Sequence, residues 1–336
     1  MVNDTSTHQR EAATTQHAIA VTPPWHAGEV RMQQRMGVAE RMAEFGAKVI
    51  RDHMPEQHRA FFEQLPFVVL GAVDLAGQPW ATVLEGEPGF AQSPAPRTLL
   101  LASELRTGDP LEQQLQDGAA IGLLGIELQT RRRNRMNGTL TRSERALSIG
   151  VQQSFGNCPQ YIQKRELHLV PDSTAEALPR AERLAGLDEA AQRLIRNADT
   201  FFVASVANVD APVGGANESQ RAVDVSHRGG KPGFVKVDGN VLTIPDFSGN
   251  RHFNTLGNLL VNPRAGLLFI DFETGDLLHL TGRTEIVFDG AEVDGFAGAE
   301  RLWRFEVQSA VRRPRAMTLR GALREPSPKN AATGAW

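Results

Sequence analysis

The sequence contains a single cysteine, Cys158, among its 336 residues. One cysteine excludes an internal disulfide and any metal site built from several cysteines of one chain. The sequence also lacks an apolar run that approaches the length of a membrane span, so we expect no membrane segment. Residues 1–22 show no basic region followed by an apolar region, as a secretory signal would, and we therefore expect a cytoplasmic protein.

An excess of charge of either sign is absent as well. The formal net charge is −3 at pH 7, so no global field draws the protein to nucleic acid or anionic lipid. The densest basic run, residues 131–135, contains no aromatic residue that could stack on bases. We expect no nucleic-acid partner, and we interpret the run as a hairpin edge whose arginines are solvated or meet an anion from a neighbouring domain.

The composition is that of an ordinary globular protein with room for two domains. Hydrophobic residues make up 41 % and charged residues 22 % of the chain. Composition shifts predict a flexible tail over 1–25, a first unit over 26–171, a connector over 172–186, a second unit over 187–320 and a tail over 321–336.

Short strands outnumber helices in the sequence pattern. Apolar periodicity predicts helices over residues 28–53, 56–64, 109–116 and 187–198. Apolar and β-branched runs predict strands over residues 65–73, 80–84, 98–102, 121–128, 138–142 and 200–206, with strand-like character over 159–169.

Glycines repeat with the same spacing in the two halves. Gly122 and Gly138 lie 16 positions apart, as do Gly266 and Gly282, and Leu-Leu follows the first glycine of each pair. We infer an internal duplication of one β-rich unit. One intervening helix per unit is too few for a parallel α/β sheet. The predicted fold is therefore mainly β with short helices, a duplicated split β-barrel.

The sharpest local feature spans residues 244–251. A strand over 242–244 runs into Pro245, which cannot donate a backbone hydrogen bond. Ser248, Asn250 and Arg251 then offer a hydroxyl, an amide and a guanidinium, a set that suits a phosphate. The apolar pattern after Arg251 predicts a helix that begins there and directs its first amides at the same point. The alternative interpretation is a solvated loop between a strand and a helix.

The matching turn of the first unit, residues 107–110, lacks these groups. Asp109 replaces the amide and would repel a phosphate, and Pro110 removes a backbone donor. The sequence therefore predicts one anion site per chain, in the second unit.

Three segments, residues 224–235, 244–251 and 262–271, resemble the pyridoxamine 5′-phosphate oxidase-related FMN-binding split-barrel family in their order and spacing. Residues 25–29 and 154–163 are similar to a branch of that family whose members can be fused to a flavin and iron–sulfur reductase module. The sequence lacks the cysteines of a plant-type iron–sulfur centre. We therefore expect a separate reductase or a nicotinamide donor to supply electrons.

The resemblance implies that the second unit holds FMN as the cofactor. It places the phosphate near the turn of residues 248–251 and the ring over the strand of residues 223–226. The predicted cofactor-binding residues are Val223, Asp224, Ser226, His227, Arg228, Lys231, Pro245, Asp246, Phe247, Ser248, Asn250 and Arg251.

Several of these residues have a plainer interpretation. Lys231 could be a solvated turn residue and Asp224 a carboxylate paired with an arginine at the barrel edge. A lone histidine beside glycines, such as His227, is more often a surface residue than a base. Cys158 is interpreted as a buried filler. No catalytic residue is assigned, and no metal is expected.

Related split barrels bind flavin at a dimer interface, so a second barrel is expected to complete the site. That barrel could be the first unit or a second chain, and we expect a homodimer. Residues 131–135, residues 152–157, Arg312 and Arg313 are the candidates for contacts across the interface.

The predicted function is an FMN-dependent oxidoreductase that acts on a small-molecule substrate or electron acceptor. Oxidation of pyridoxamine 5′-phosphate itself is not expected, because we find no second phosphate site. The alternative is a flavin- or haem-binding carrier or sensor without turnover, with His227, His252 or His279 as the haem ligand.

Overall fold

The computed structural model describes residues 24–142, 146–170, 180–207 and 223–336. Residues 1–23 of the predicted tail and residues 172–179 of the predicted connector lie outside these residues. None of the described helices is long and apolar enough to cross a membrane.

Six short helices and seventeen strands make up the described chain. The helices are α1 (Ala27–Arg35), α2 (Ala39–Val49), α3 (Glu56–Glu63), α4 (Glu189–Asn197), α5 (Asn254–Val261) and α6 (Ala291–Asp294). The strands of the first unit are β1 (Phe67–Val73), β2 (Pro79–Glu85), β3 (Ala91–Ala95), β4 (Thr98–Leu101), β5 (Ala120–Glu127), β6 (Arg132–Arg142), β7 (Leu147–Asn157) and β8 (Lys164–Leu169). Those that follow are β9 (Glu182–Leu184), β10 (Thr200–Val206), β11 (Val223–Gly229), β12 (Lys236–Asp238), β13 (Val241–Phe247), β14 (Arg264–Ile270), β15 (Leu277–Val287), β16 (Ala299–Arg313) and β17 (Leu319–Glu325).

The two units share one strand order. The first sheet runs β2-β1-β5-β6-β7-β4-β3, and the second runs β11-β10-β14-β15-β16-β13-β12, which matches it strand for strand. The neighbouring strands pair antiparallel in both sheets. This arrangement confirms the predicted fold class, a duplicated split β-barrel that is mainly β with short helices.

The repeated glycines lie where backbones approach most closely. A Cβ at Gly122 would lie 2.4 Å from the carbonyl oxygen of Val223, and one at Gly266 would lie 2.4 Å from that of Pro79. Each of these contacts joins one unit to the other, so the first glycine of each pair permits the barrels to pack. Gly138 and Gly282 each sit at a shift of register between neighbouring strands, which is typical of glycine at a β-bulge.

Each barrel has its own hydrophobic core, and a third cluster joins them. Strands β1, β2 and β5 of the first unit pack on β10, β11 and β14 of the second. Fully buried members of this third cluster include Phe67, Val69, Leu124, Phe202 and Leu268. The first unit is therefore the neighbour on which the second unit packs.

The N-terminal helix predicted over 28–53 is two helices in the structure. Gly37 separates them with a positive φ of 64°, a backbone conformation that glycine adopts without strain. Residues 109–116, also predicted as a helix, form turns. The Asp109 carboxylate accepts a hydrogen bond from the amide of Leu111, a local bond that competes with helix formation.

Strand β13 continues through Pro245 to Phe247, beyond the predicted end of the strand. Pro245 pairs with Leu302 of β16, while β12 on the other side pairs only with residues 241–243. Because β12 does not pair with β13 at Pro245, the missing amide costs no hydrogen bond between these two strands. The helix after this strand begins at Asn254 and not at Arg251, because Arg251 and Phe253 both have positive φ.

The basic run of residues 131–135 is not a hairpin edge. β6 begins at Arg132 and lies between β5 and β7 in the middle of its sheet. Because side chains alternate along a strand, Arg133 and Arg135 share one face and Arg132 lies on the other. Strands β3 and β7 had no prediction, and within residues 159–169 only β8 is a strand.

The C-terminal residues 321–336 are not a separate tail, as the sequence had suggested. β17 crosses the predicted boundary and pairs with β8 of the first unit. A 3₁₀ turn follows at Pro328–Ala332, and the amide of Trp336 donates to the carbonyl oxygen of Gly233. Within the predicted connector, β9 pairs with β16. The C-terminal segment and the end of the connector are thus held by pairing with distant strands, which composition does not reveal.

Candidate functional site

A cleft opens where the second barrel meets the start of β6 and the end of β7 of the first. Its volume is about 800 Å³, the open mouth included. The second unit contributes β11, the end of β13 and the start of α5. The lining residues are Arg133, Arg135, Asn157, Cys158, Gln160, Tyr161, Ser226, His227, Arg228, Gly229, Phe234, Pro245, Asp246, Phe247, Gly249, Asn250, Arg251, Phe253, Asn254, Thr255, Leu256, Glu300 and Arg301.

Eight of the twelve predicted cofactor-binding residues line this cleft. They are Ser226, His227, Arg228, Pro245, Asp246, Phe247, Asn250 and Arg251. Val223 and Asp224 lie on the same strand but outside the lining, and both are buried. Lys231 points elsewhere, since its Nζ donates to the carbonyl oxygen of Thr333 at 2.7 Å. Ser248 is exposed and contributes its carbonyl oxygen to the hydroxyl of Tyr161. A role in cofactor binding stays a prediction for all twelve.

The groups of the 248–251 turn are engaged by other side chains. Both terminal nitrogens of Arg251 donate to the carboxylate of Glu300, each at 2.6 Å. The Nδ2 atom of Asn250 donates to Oδ1 of Asn157, at 3.1 Å, and so crosses from the second unit to the first. The guanidinium predicted to meet a phosphate therefore already has a carboxylate partner.

Positive charge exceeds negative charge in the cleft. Five arginines and two carboxylates line it, an excess of three positive charges. Arg228 and Arg301 share the carboxylate of Asp246, and Glu300 holds Arg251. The two arginines of β6 are left without a close carboxylate among the lining residues.

These two arginines come from the first unit and face the second. Nη1 of Arg135 donates to Oδ1 of Asn254 at 2.7 Å, and its Nη2 donates to the hydroxyl of Ser226. The nearest acid, Asp224, is 4.0 Å from Arg135. Arg133 donates through Nε to the carbonyl oxygen of Cys158 at 2.8 Å. The hydrogen bonds of both guanidiniums thus go to neutral acceptors, and Asp224 compensates the charge of Arg135 in part.

The pKa shifts reflect this crowding of like charges. Burial lowers the pKa of Arg135 to about 10, with Arg133 and Arg228 adding repulsion and Asp224 opposing it. Loss of hydration also lowers the pKa of Arg133, and Arg228 lowers it further. Both remain protonated near neutral pH. Charged groups that repel one another in a cleft are stabilised by an anion that binds between them.

His227 offers a hydrogen-bond donor beside these arginines. Burial, followed by the charges of Arg133, Arg165 and Arg228, holds the pKa of His227 well below 6.5, so the ring is neutral. Its Nδ1 lies 3.3 Å from a donating nitrogen of Arg133, which assigns the ring proton to Nε2. Nε2 is buried and has no hydrogen-bond partner in the described structure.

Other buried polar atoms of the cleft share this property. The lining atoms without a hydrogen-bond partner among the described residues are Nε of Arg135, Nδ2 of Asn157, Oε1 of Gln160, Nε2 of His227 and Nε of Arg228. An unpaired buried polar group costs about 1–3 kcal/mol. Four of the five are donors, so the partner they call for is rich in acceptors.

The backbone around the cleft is strained at three places. Tyr161, Arg251 and Phe253 all adopt positive φ, between 60° and 64°, although none is glycine. Such a conformation costs on the order of 1–3 kcal/mol per residue and concentrates at ligand sites. Tyr161 and Phe247 pair their rings at the lining, with centroids 5.2 Å apart. One ring comes from each unit, so the site needs both.

A buried acid from helix α1 stands behind the cleft. Oε1 of Glu29 accepts a hydrogen bond from Nδ2 of Asn254, the residue whose oxygen holds Arg135. Burial and the neighbouring Asp224 raise the pKa of Glu29 to about 8. Oε2 of Glu29 also accepts from the amide of His26 at 2.9 Å. Helix α1 therefore fixes Asn254 and, through it, the position of Arg135.

The equivalent place at the other end of the interface is built differently. Strand registers make Thr82 of β2 the counterpart of Ser226 of β11. Thr82 donates to the Asp109 carboxylate, whereas the hydroxyl of Ser226 is bonded to Thr255. By these contacts Asp109 takes the place of Thr255, whereas the turn comparison had matched Asp109 with Asn250. The carboxylate of Asp109 is held by Arg313 at 2.7 Å, with both side chains buried.

Sequence reasoning found part of this site. Arg133, Arg135 and Asn157 fell within runs predicted to cross the interface, but their individual roles had no prediction. Glu29, Asn254, Glu300 and Arg301 were missed. The period of two along a strand, which puts Arg133 and Arg135 on one face, was the one available signal. The salt bridges of Glu300 and Arg301 join residues about 50 positions apart, which no local pattern indicates.

The chain belongs to the pyridoxamine 5′-phosphate oxidase family. The family model with that description matches residues 54–177 and 187–320, one segment in each unit. This confirms the family resemblance and the internal duplication. No curated protein shows a significant match to the chain.

Solved structures with low sequence identity are also similar to it. HupZ from Group A Streptococcus is 12 % identical, and the similarity covers 42 % of this chain and 98 % of HupZ with a TM-score of 0.28. An FAD-binding protein from Mesorhizobium loti is 12 % identical, covering 39 % of this chain and 97 % of that one at a TM-score of 0.25. HutZ, the haem storage protein from Vibrio cholerae, is 15 % identical, covering 38 % and 94 % at a TM-score of 0.25.

Proposed function

We propose that the protein binds FMN in the cleft between its two units and acts as an FMN-dependent oxidoreductase on a small molecule. The observation that carries the proposal is the excess of three positive charges in a cleft of about 800 Å³ whose unpaired atoms are mainly donors. A flavin mononucleotide brings a phosphate and a ring with several acceptors, which match those donors.

The residues that would hold the phosphate are Arg133, Arg135 and Arg228, with Nε2 of His227 as a neutral donor. Arg251, the earlier candidate, is the weaker one because Glu300 already neutralises it. Tyr161 and Phe247 would supply the apolar contact that a flavin ring needs. When bound, the flavin would supply the redox chemistry, and the chain would orient it and exclude water.

A phosphate-specific titration tests the cofactor assignment. FMN and riboflavin, which lacks the phosphate, are titrated into the purified protein, and binding is followed by quenching of flavin fluorescence. Charge-assisted contacts predict that FMN binds at least tenfold more tightly. Equal affinity for the two flavins, or no binding of either, would overturn the assignment.

Visible spectra then separate turnover from storage. Anaerobic addition of NADH or NADPH to the FMN-loaded protein is expected to bleach the flavin, and air is expected to restore it. A loaded flavin that no nicotinamide donor reduces, but that dithionite does, would favour the carrier or a dedicated reductase. A Soret band after incubation with haem, together with failure to bind FMN, would favour the haem alternative, for which His227, His252 and His279 are the candidate ligands.

A further inference from the structure

A second, more apolar pocket adjoins the cleft. It lies between helix α2, the start of α3 and the end of β7, with a volume of about 1100 Å³ including its open mouth. Cys158 and Asn250 line both spaces. The remaining lining residues are Arg41, Met42, Phe45, Val49, Arg51, His58, Gly156 and His252. Since the two spaces share residues, a molecule in the pocket would be a neighbour of one in the cleft.

Aromatic rings surround the inner wall of this pocket. The ring centroid of His252 lies 4.9 Å from that of Trp25, 5.8 Å from that of Phe45 and 6.0 Å from that of Phe155. Trp25 and Phe155 are buried, whereas 44 % of Phe45 is exposed. The ring of Phe45 therefore faces the open side of the pocket. A flat apolar molecule that covers this ring would bury apolar surface.

Several polar side chains line the pocket: Arg41 and Arg51 are exposed, His58 is bonded to Ser154, and His252 is buried. His252 is 3 % exposed, and neither ring nitrogen has a hydrogen-bond partner in the described part of the chain. Burial, aided by the charge of Arg135, lowers the pKa of His252 to about 4, so the ring is neutral at pH 7. A neutral imidazole presents one donor and one acceptor. That pair suits a hydroxyl or carbonyl group better than a carboxylate.

We propose that this pocket binds the substrate of the enzyme, and that the substrate is a small, uncharged aromatic compound carrying a hydroxyl or carbonyl group. The identification of the bound molecule as a substrate rests on the proposed function, whereas the binding chemistry rests on the pocket alone. The aromatic body packs on Phe45, Met42 and Val49, and the polar group pairs with the imidazole of His252.

Equilibrium dialysis with two matched probes tests the binding chemistry. 2-Naphthol carries a hydroxyl that is uncharged at pH 7, and naphthalene has the same rings without it. The protein is expected to bind 2-naphthol roughly tenfold more tightly than naphthalene, the effect of one buried hydrogen bond. Equal binding of both probes, or binding of neither, would overturn the proposal.

Three variants locate the binding. His252→Phe keeps a flat ring and is expected to abolish the preference for 2-naphthol while retaining naphthalene binding. Phe45→Ala, at a partly exposed position, is expected to lower the binding affinity of both probes by the same factor. Leu75→Ala removes another exposed apolar side chain, on the β1–β2 turn, and is expected to change neither. Wild-type binding of 2-naphthol by both pocket variants would refute the location.

The same probes distinguish this proposal from the cofactor assignment. Dialysis without added flavin reports on the pocket alone. If the protein binds 2-naphthol but not FMN, the proposed function is wrong and the proposed binding chemistry of the pocket is supported. In FMN-loaded protein, 2-naphthol is expected to shift the visible absorption of the flavin, because the two spaces share lining residues. Binding without any such shift would contradict the role as substrate pocket.

Discussion

Arg135 and Arg313 occupy corresponding ends of the interface between the two barrels, and they meet different partners. Arg135 of the first unit holds the neutral amide of Asn254 at 2.7 Å, and Arg313 of the second holds the carboxylate of Asp109 at the same distance. One end, the closed end, thus contains a buried ion pair. At the other, the open end, the hydrogen bonds of Arg135 go to neutral groups, and the buried Asp224 carboxylate lies 4.0 Å away, beside the charges of Arg133 and Arg228. Strand registers place His279 at the position that Arg135 occupies in the first unit, and Asn157 at the position of Arg313, so the two ends differ in several side chains of the duplicated scaffold.

The largest expected effect is at the closed end. Asp109→Asn leaves the Arg313 charge buried without its carboxylate partner, so we expect a loss of about 3 kcal/mol in the free energy of unfolding. Urea denaturation measures it. Asp188→Asn is the matched control, because it weakens an exposed ion pair with Arg312 on the same strand and should change stability by less than about 1 kcal/mol. Equal effects of the two substitutions would refute the contrast.

The next effect concerns the open end. Arg135→Gln removes a buried charge that we assign to the phosphate, so FMN affinity should fall by about 2 kcal/mol, or roughly thirtyfold in Kd, and riboflavin affinity should not. Arg132→Gln, on the same strand but exposed, serves as the control and should leave both affinities unchanged. Parallel losses for FMN and riboflavin would mean that Arg135 supports the fold of the cleft and does not contact a phosphate.

The free energy of unfolding should depend on pH through Glu29, which lies at the open end. Because its folded pKa of about 8 lies above the ordinary 4.5, the folded state binds the proton more tightly than the unfolded state. The stabilisation is complete below pH 4.5 and is lost as the pH rises through 8, with a slope of up to about 1.4 kcal/mol per pH unit. Denaturation between pH 5 and 8 should show this slope in the wild type and a weaker one in Glu29→Gln. An identical slope in both proteins would show that Glu29 does not titrate in this range.

The smallest expected effect is at the turn that the sequence singled out. Glu300 already binds both terminal nitrogens of Arg251. Arg251→Ala should therefore weaken FMN binding by about 1 kcal/mol or less. The titration used for Arg135→Gln measures it. A loss larger than that caused by Arg135→Gln would return the phosphate to the turn of residues 248–251.

Much of the fold could be predicted because its signals are local. The glycine pairs revealed the duplication, since each close approach and each bulge recurs at the same spacing. The unpredicted features depend on distant partners. Residues 109–116 have helical periodicity, but Thr82 and Arg313 fix the Asp109 side chain from other strands. The C-terminal strand β17 exists because β8 pairs with it, about 150 positions earlier in the chain.

By itself the sequence determined the family, the duplication and the half of the chain that carries Ser226, His227 and Arg228. Side-chain type and local period suffice for these, because they set which faces are buried and which groups a strand presents. Only the tertiary structure decided that Arg133 and Arg135 of the first unit complete the cleft. It also decided that Glu300 binds Arg251 directly, while Arg135 donates to Asn254 and Ser226 and has its nearest carboxylate, Asp224, 4.0 Å away. Whether a charge is compensated depends on which side chains meet across the interface. Such side chains are close in space but far apart along the chain, so the sequence does not reveal them.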